Sequence, residues 1–449
     1  MKKKLLSTAI AAGMGMGLMS TAAQAVYVNA QGTGQVLLYP YYSAENGNDS
    51  YIQVVNTSDV GKVVKVRFLE SKNSQEVLDF NLYLSANDVW AGAVTATANG
   101  GAKIVTNDTS CTDGTIPADG QPFVNYQYDG DGDSSIERTA EGHVEVIGMA
   151  DIVAGSALDQ AIDHGNTGVP ADCSFTNGKD FSSGGAHAAG NVTGSTGGLY
   201  GFSQLVNVEQ GVAATMDATA LADFTPNNIW TTPGDITPDL TAVTTPAILF
   251  DGSAAQSFPN LDFGVATDNG DPVSAVLMTQ NIQNSYVVDP AINAGTDWIV
   301  TFPTKSLYVN NSPAYAPFTA SWDSAASTAC ESITLDYWDR EEQSVQTSVE
   351  FSPPPPSGPG AALCYEANVM TFNDSNVIGS SNTQNVDVAY TAGWMDMQFD
   401  TQSFTTDGGD QFSGLPAIGY SVVKYTNGSI GGVMRNYMGA SAHKETSPL

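Results

Sequence analysis

Between Tyr128 and Ile147 the chain reads YDGDGDSSIERTAEGHVEVI, and its three aspartates at alternate positions are the residue type that holds a hard cation. Asp129, Asp131 and Asp133 match the first three ligand positions of an EF-hand calcium loop. The match then degrades. Ser134 stands where the turn needs glycine, Glu137 falls at the ninth position, and Ala140 occupies the closing position that requires a bidentate glutamate. A complete EF-hand is therefore disfavoured. Two readings stay open: a looser calcium site, in which backbone carbonyls complete Asp129, Asp131, Asp133 and Glu137, or a solvated acidic loop. Calcium bound there would stiffen the loop rather than catalyse.

Other chemistry is thinly supported. His143, His164, His187 and His443 show no zinc-type spacing, so solvated or packing roles are expected for them. The sequence holds no G-x-S-x-G elbow, no P-loop and no dinucleotide fingerprint. Paired carboxylates for glycoside hydrolysis have one good candidate cluster, DYWDREE from Asp336 to Glu342, with Trp338 as a sugar platform. The competing and favoured reading is a strand end, with Tyr337 and Trp338 packing on opposite faces. Tyr39 to Tyr42, Trp230 and Trp322 are further candidates for stacking on sugars, although most aromatics belong in the core.

Positioning these residues is a task for an exported chain. MKKKLLSTAIAAGMGMGLMSTAAQA opens with three lysines, continues into a short apolar stretch and ends in a small-residue cleavage pattern. That predicts a signal peptide over residues 1–25 and a mature chain starting at Val26, in the periplasm, at the cell surface or outside a Gram-negative bacterium. No later stretch is long and apolar enough for a transmembrane helix, and the closing AHKETSPL lacks the aromatic final strand of an outer-membrane barrel. Removing three lysines lowers the formal charge from −32 to −35, with 12 basic residues against 47 acidic ones. Such a surface repels nucleic acid and anionic lipid and attracts divalent cations. Cys111, Cys173, Cys330 and Cys364 are even in number, so disulfides are expected. Of three possible pairings we favour Cys111–Cys173 and Cys330–Cys364, each closing a loop of moderate length within one half of the chain.

The elements read as strands. Short β-branched and aromatic runs are separated by turn residues, as in QVLLYPYY, YIQVVN, KVVKVRFLE and EVLDFNLYL. In Lys62–Glu70, Val64, Val66 and Phe68 share one face while Lys65 and Arg67 take the other, the pattern of a half-buried strand. Asn99-Gly100 and Asn427-Gly428 each mark a hairpin turn, the second joining SVVKYT to SIGGVM. ALDQAIDHG and ATALADF are candidate short helices, and SAVLMTQNIQNSYVV fits helix or strand. The predicted class is all-β: antiparallel β-sandwich domains with long polar loops and a few short helices. The N-terminal sandwich spans 26–230, with a loop-rich insertion at about 107–200. The C-terminal sandwich spans 231–449, with a Pro-rich loop at 352–360 stapled by the second bridge.

GQVLLYPYYSAENGNDSYIQVVNTSD, KVVKVRFLESKNSQEVLDFNLYLSANDVW, ERTAEGHVEVIGMAD, TDWIVTFPTK, YWDREE and LCYEANVMTFN together resemble a family of exported, β-rich cell-surface or periplasmic proteins of environmental proteobacteria. The resemblance implies export and one shared architecture. It carries no catalytic assignment, so no functional residue transfers. It also marks Arg138, Glu141 and Gly142 as the entry to GHVEVI, with Arg138 expected to pair locally with Glu141 and so clamp the acidic loop.

Three functions remain in play. The leading one is a non-enzymatic envelope or extracellular protein acting through its β surface in adhesion, matrix building or ligand binding. Surface glycans, matrix components or self-association are its candidate partners, with the N-terminal VYVNAQGTG as a donor strand. The alternatives are a secreted polysaccharide hydrolase and a calcium-dependent glycan-binding module.

Overall fold

The structure is a computed structural model that describes residues 24–176, 190–250, 255–259, 261–264, 270–344, 361–399 and 403–446. Residues 1–23 of the expected signal peptide 1–25, His187 and the Pro-rich stretch 352–360 lie outside the described residues. What is described is all-β and antiparallel, with three short α-helices among the described residues.

Two sheets form the N-terminal sandwich. The larger runs Tyr27–Val28, Thr219–Ala222, Val36–Ser43, Glu141–Ile152, Lys62–Glu70, Glu76–Leu84 and Cys111–Asp113, with Val192–Thr193 also paired to Glu141–Ile152. The smaller runs Val212–Asp217, Leu199–Asn207, Asn48–Asn56, Val89–Ala96, Ala102–Val105 and Gln121–Pro122. Leu37, Tyr39, Val66, Phe68, Phe80, Trp90, Ile104 and Val146 fill the space between them. Successive strands QVLLYPYY and YIQVVN belong to different sheets, so the first turn passes between layers rather than closing a hairpin within one.

The stretch 107–200, expected to be a loop-rich insertion, carries Glu141–Ile152, a central strand of the larger sheet that is buried at all twelve positions. Its charged residues disguise it, because His143, Glu145 and Asp151 lie inside the protein. Lys62–Glu70 corrects a second expectation. Val64, Val66 and Phe68 face the core as the alternation requires, but Lys65 and Arg67 are buried too. The segment 231–240 lies over that face: Lys65 Nζ donates to the Asp235 and Thr237 carbonyls and pairs with Asp79 at 2.8 Å. A sheet covered on both sides loses the polar-out signal of a half-exposed one.

The C-terminal sandwich consists of two five-stranded sheets. One is ordered Ala361–Leu363, Glu331–Asp339, Ala392–Phe399, Asn281–Val287, Lys444–Glu445; the other Thr383–Val386, Ala367–Phe372, Ala294–Thr301, Ile418–Tyr425, Tyr437–Ala442. Only Thr383–Val386 pairs in parallel among these. ALDQAI forms a helix, whereas ATALADF contains the strand Thr219–Ala222. The ambiguous SAVLMTQNIQNSYVV divides, its start ending helix Asp271–Leu277 and its remainder forming Met278–Thr279 and Asn281–Val287. SVVKYT pairs with Tyr437–Ala442 rather than with SIGGVM, which folds back on itself around Gly431-Gly432. Both glycines have positive φ, as a two-residue hairpin turn demands, so they outcompete Asn427-Gly428 as the reversal point.

One apolar core joins the halves. Val36, Leu38 and Ile147, on the second face of the larger sheet, share a cluster with Phe224, Leu240, Val273, Trp298, Val300 and Met370. Another cluster brings Tyr41, Leu205 and Met216 against Ile299, Val369 and Val422. The segment containing the expected boundary at residue 230 is part of this packing, with Thr225 N–H on Gln35 Oε1 and Ile229 N–H on the Met149 carbonyl. The proposed donor strand is also occupied at home: Tyr27–Val28 pairs with Thr219–Ala222 and Val26 is fully buried. Both disulfides have the favoured pairing, Cys111–Cys173 and Cys330–Cys364. Among the described residues no helix is long and apolar enough to cross a membrane.

Candidate functional site

The acidic loop is built between two short 3₁₀ turns, Tyr126–Tyr128 and Ile136–Ala140, and cations of the protein occupy its oxygens. Arg138 Nη1 donates to Asp131 Oδ2 at 2.9 Å and to the Asp133 carbonyl at 2.8 Å. Lys72 Nζ takes Asp133 Oδ2 at 2.6 Å, and Ser135 takes Oδ1. Partial burial would raise the Asp133 carboxyl, but the Lys72 and Ser135 hydrogen bonds hold it at about 2. Asp129 and Glu137 are exposed, and Glu137 lies against the Gly100 turn instead of joining the three aspartates. Among the described residues no three His, Cys, Asp or Glu side chains cluster as a metal site. The loop instead docks on the other half of the chain. Gly132 N–H donates to the Ser324 carbonyl at 2.7 Å, and a Cβ at Gly132 would come within 2.0 Å of the Ala325 oxygen. With Arg138 and Lys72 in the ligand positions, equal melting temperatures are expected in millimolar calcium and in chelator. A clear rise in calcium, measured by differential scanning fluorimetry, would restore the metal reading.

Arg138 is the hub. Its guanidinium is fully buried and grips Glu70, in place of the expected local partner Glu141, through two hydrogen bonds of 2.7 and 2.9 Å, while the Tyr128 ring lies 4.2 Å away. Further along the sheet, Arg67 serves both Glu76 at 2.8 Å and Glu145, and Lys62 holds Asp151 at 2.6 Å. One guanidinium cannot neutralise two buried carboxylates, so burial pushes Glu145 up to about 7 despite the Arg67 contact. Glu366, also fully buried, lies well above the usual carboxylate range because burial outweighs the nearby Ser306 and Lys305.

Ser74 Oγ lies 2.7 Å from His143 Nε2, the geometry of a nucleophile and its base, and Ser74 has φ +50. The sequence reading passed over Ser74. Burial and then Arg67 push His143 down to about 3, too weak a base to take a serine proton at neutral pH. The adjoining cavity of about 60 Å³ has room for a water molecule or two but not for a substrate. His443 is likewise buried, its ring tilted 54° to Trp298 at 4.8 Å, and His164 sits beside Ser85 and Asp88.

The sugar-platform candidates separate sharply. Tyr39, Tyr41 and Tyr42 are core residues, Trp230 is buried edge-on against Tyr83, and Trp322 is half-buried under Arg138. They correct the expectation of a stacking surface there: Tyr39 and Tyr42 fill the core between the two N-terminal sheets, Tyr41 packs against the C-terminal sandwich, and Trp230 packs beside Tyr83. DYWDREE behaves differently. Alternation sends Tyr337 inward against Tyr286 and Trp338 outward, where Trp394 stacks on it with centroids 4.3 Å apart and planes 13° from parallel. The strand register explains the pair, with Trp338 directly opposite Trp394 and Asp336 opposite Asp396 in the next outward row. Ser285 is the neighbour of Trp394 on its other side, too small to cover the second indole face.

This row borders an open groove of about 810 Å³ between the two C-terminal sheets. Trp394, 42% exposed, Tyr425 and Tyr437 supply its aromatic surface, and Gly393, Gly439 and Ala440 keep its floor low. Gly393 cannot be replaced, because a Cβ would meet the Trp338 oxygen at 1.7 Å. Asp339, Arg340 and Glu342 stand on the rim. Asp339 is fixed there by accepting the Glu341 and Gln343 amides at 2.9 and 2.8 Å. Asp336 and Asp396 are held by Gln398 and Asn281 amides on the flat sheet face beside the indoles. No family model, curated protein or solved structure matches this chain.

Proposed function

We propose that the chain is an exported, non-enzymatic binding protein of the envelope or extracellular space, and that it acts through the groove of its C-terminal sandwich. The observation that carries the reading is Trp394, 42% exposed at the edge of an open groove and backed by the parallel, half-buried indole of Trp338. Burying a large aromatic face is strongly favourable, so an indole left uncovered on an acidic, otherwise polar surface marks a place where something else covers it. The groove volume falls in the range of sites that enclose small ligands or short polymer segments.

Export is supported by the lysine-led leader and by two disulfides. Val26, the expected first residue of the mature chain, is fully buried, and its N–H donates to the Pro246 carbonyl at 2.7 Å. Protein sequenced from producing cells is expected to start at Val26. An intact leader on the accumulated protein would remove this part of the reading.

Asp336 and Asp396 face each other across neighbouring strands on the open sheet face, each already held by a neighbouring amide. Incubation with a broad polysaccharide panel is expected to release no new reducing ends. Release that disappears in Asp336→Ala or Glu341→Ala would make the protein an enzyme and overturn the binding reading.

A further inference from the structure

We propose that the ligand of the groove is an uncharged polysaccharide chain, one sugar ring of which lies flat on the free face of Trp394. The inference rests on the binding reading above and adds the ligand class. Three features point the same way. First, the free indole face is flat and apolar, and the axial C–H face of a pyranose matches it in size and polarity. Trp338 at 4.3 Å holds the platform rigid, so little side-chain freedom is lost on binding.

Second, the polar groups near the platform are mainly acceptors suited to hydroxyls. Asp339 and Glu342 stand on the rim, Asp336 and Asp396 lie one outward row away, and Ser285 and Ser441 line the groove. Sugar hydroxyls donate to carboxylates, and a polysaccharide presents them along its whole length. Third, electrostatics select against acidic polymers. The whole chain carries −32, and the rim holds two carboxylates against the single Arg340, so a uronate or sulfate chain would be repelled. A second platform, Tyr437 at 62% exposed, lies across the groove.

The groove offers a blocking variant. A Cβ at Gly439 would meet nothing within 4 Å and Gly439 lines the groove, so Gly439→Phe starts a ring from an open position of the lining. Trp394→Ala removes the platform instead. Isothermal titration calorimetry would use neutral oligosaccharides of several linkages, oligouronates and extended proline-rich peptides. At least one neutral series is expected to bind, with affinity falling tenfold or more in Trp394→Ala and lost in Gly439→Phe, while both variants keep the wild-type circular dichroism spectrum. Peptide-only or uronate-only binding that both variants abolish would overturn the ligand class and leave the groove as a binding site. Binding that neither variant alters, or silence across the whole panel, would overturn the groove itself.

Discussion

Replacing Arg138 with methionine is expected to destabilise the protein by roughly 3–5 kcal/mol, the range for removing one partner of a buried ion pair. Glu70 explains the size of the effect. Its carboxylate is fully buried and also accepts the backbone amides of Lys72, Asn73 and Gln75, so it cannot turn toward solvent when Arg138 is gone. The charge would be left without its counter-ion, and the loop carrying Asp131 and Asp133 would lose its anchor. That loop also touches residues 324–327 of the other half, through Gly132 and through Asp133 N–H on Ser327 Oγ. The double variant Arg138→Met with Glu70→Gln removes the stranded charge and is expected to recover a large part of the loss. Urea unfolding of the three proteins checks this: a single variant within about 1 kcal/mol of wild type would show that the pair is not structural.

Thermal stability is expected to rise as pH falls from 8 and to peak near pH 5. Burial, reinforced by Glu45, raises Glu141 to about 7 despite hydrogen bonds from Tyr41 and Ser380. Burial likewise lifts Glu145 and Glu445 to about 7 and Asp297 to about 6. A carboxyl raised in the folded state binds its proton more tightly than in the unfolded chain. Its stabilising contribution is therefore complete below the ordinary carboxylate value and is lost as pH rises through the folded value. Two histidines oppose this. His143 and His443 are held at about 3 and about 4 by burial, so the unfolded chain takes up protons on them as pH drops below the usual histidine value. Between about pH 6.5 and 4.5 the four carboxyls outweigh the two histidines. Below that their gain is exhausted and the histidine cost continues. Melting curves recorded every half pH unit measure the balance; a melting temperature that climbs steadily from pH 5 to pH 8 would contradict the buried acids.

The strands were readable because alternation and turn residues are local. Glu331–Asp339, Lys62–Glu70 and Glu76–Leu84 have the bounds their residues suggest. What alternation cannot reveal is a second covering layer. Lys65, Arg67, Glu141, His143 and Glu145 all look solvent-facing by type, and all are buried, with partners such as Asp235 for Lys65, Glu145 for Arg67 and Ser380 for Glu141 arriving from segments far along the chain. The acidic loop misled for the same reason. Its aspartates were evident, while the contact of Lys72 with Asp133 depends on a strand pairing that spacing does not encode.

The groove was half legible. Trp338 was noticed within DYWDREE, but Trp394 was not, although AGWMDMQF carries the needed signal. Met395 and Met397 claim the inward face, which leaves Trp394 outward beside Asp396 and Gln398. An aromatic on the polar side of an alternating strand is the clue. Its pairing with Trp338 required the register of two strands whose opposed indoles lie more than fifty residues apart.

Hydrogen–deuterium exchange with and without a bound neutral oligosaccharide tests the proposed site most directly. Slower exchange is expected in 283–287, 392–395 and 437–441, with no change in the acidic loop 129–137. Protection centred on that loop, or on the N-terminal sheets, would place the binding surface elsewhere and contradict the role given to Trp394.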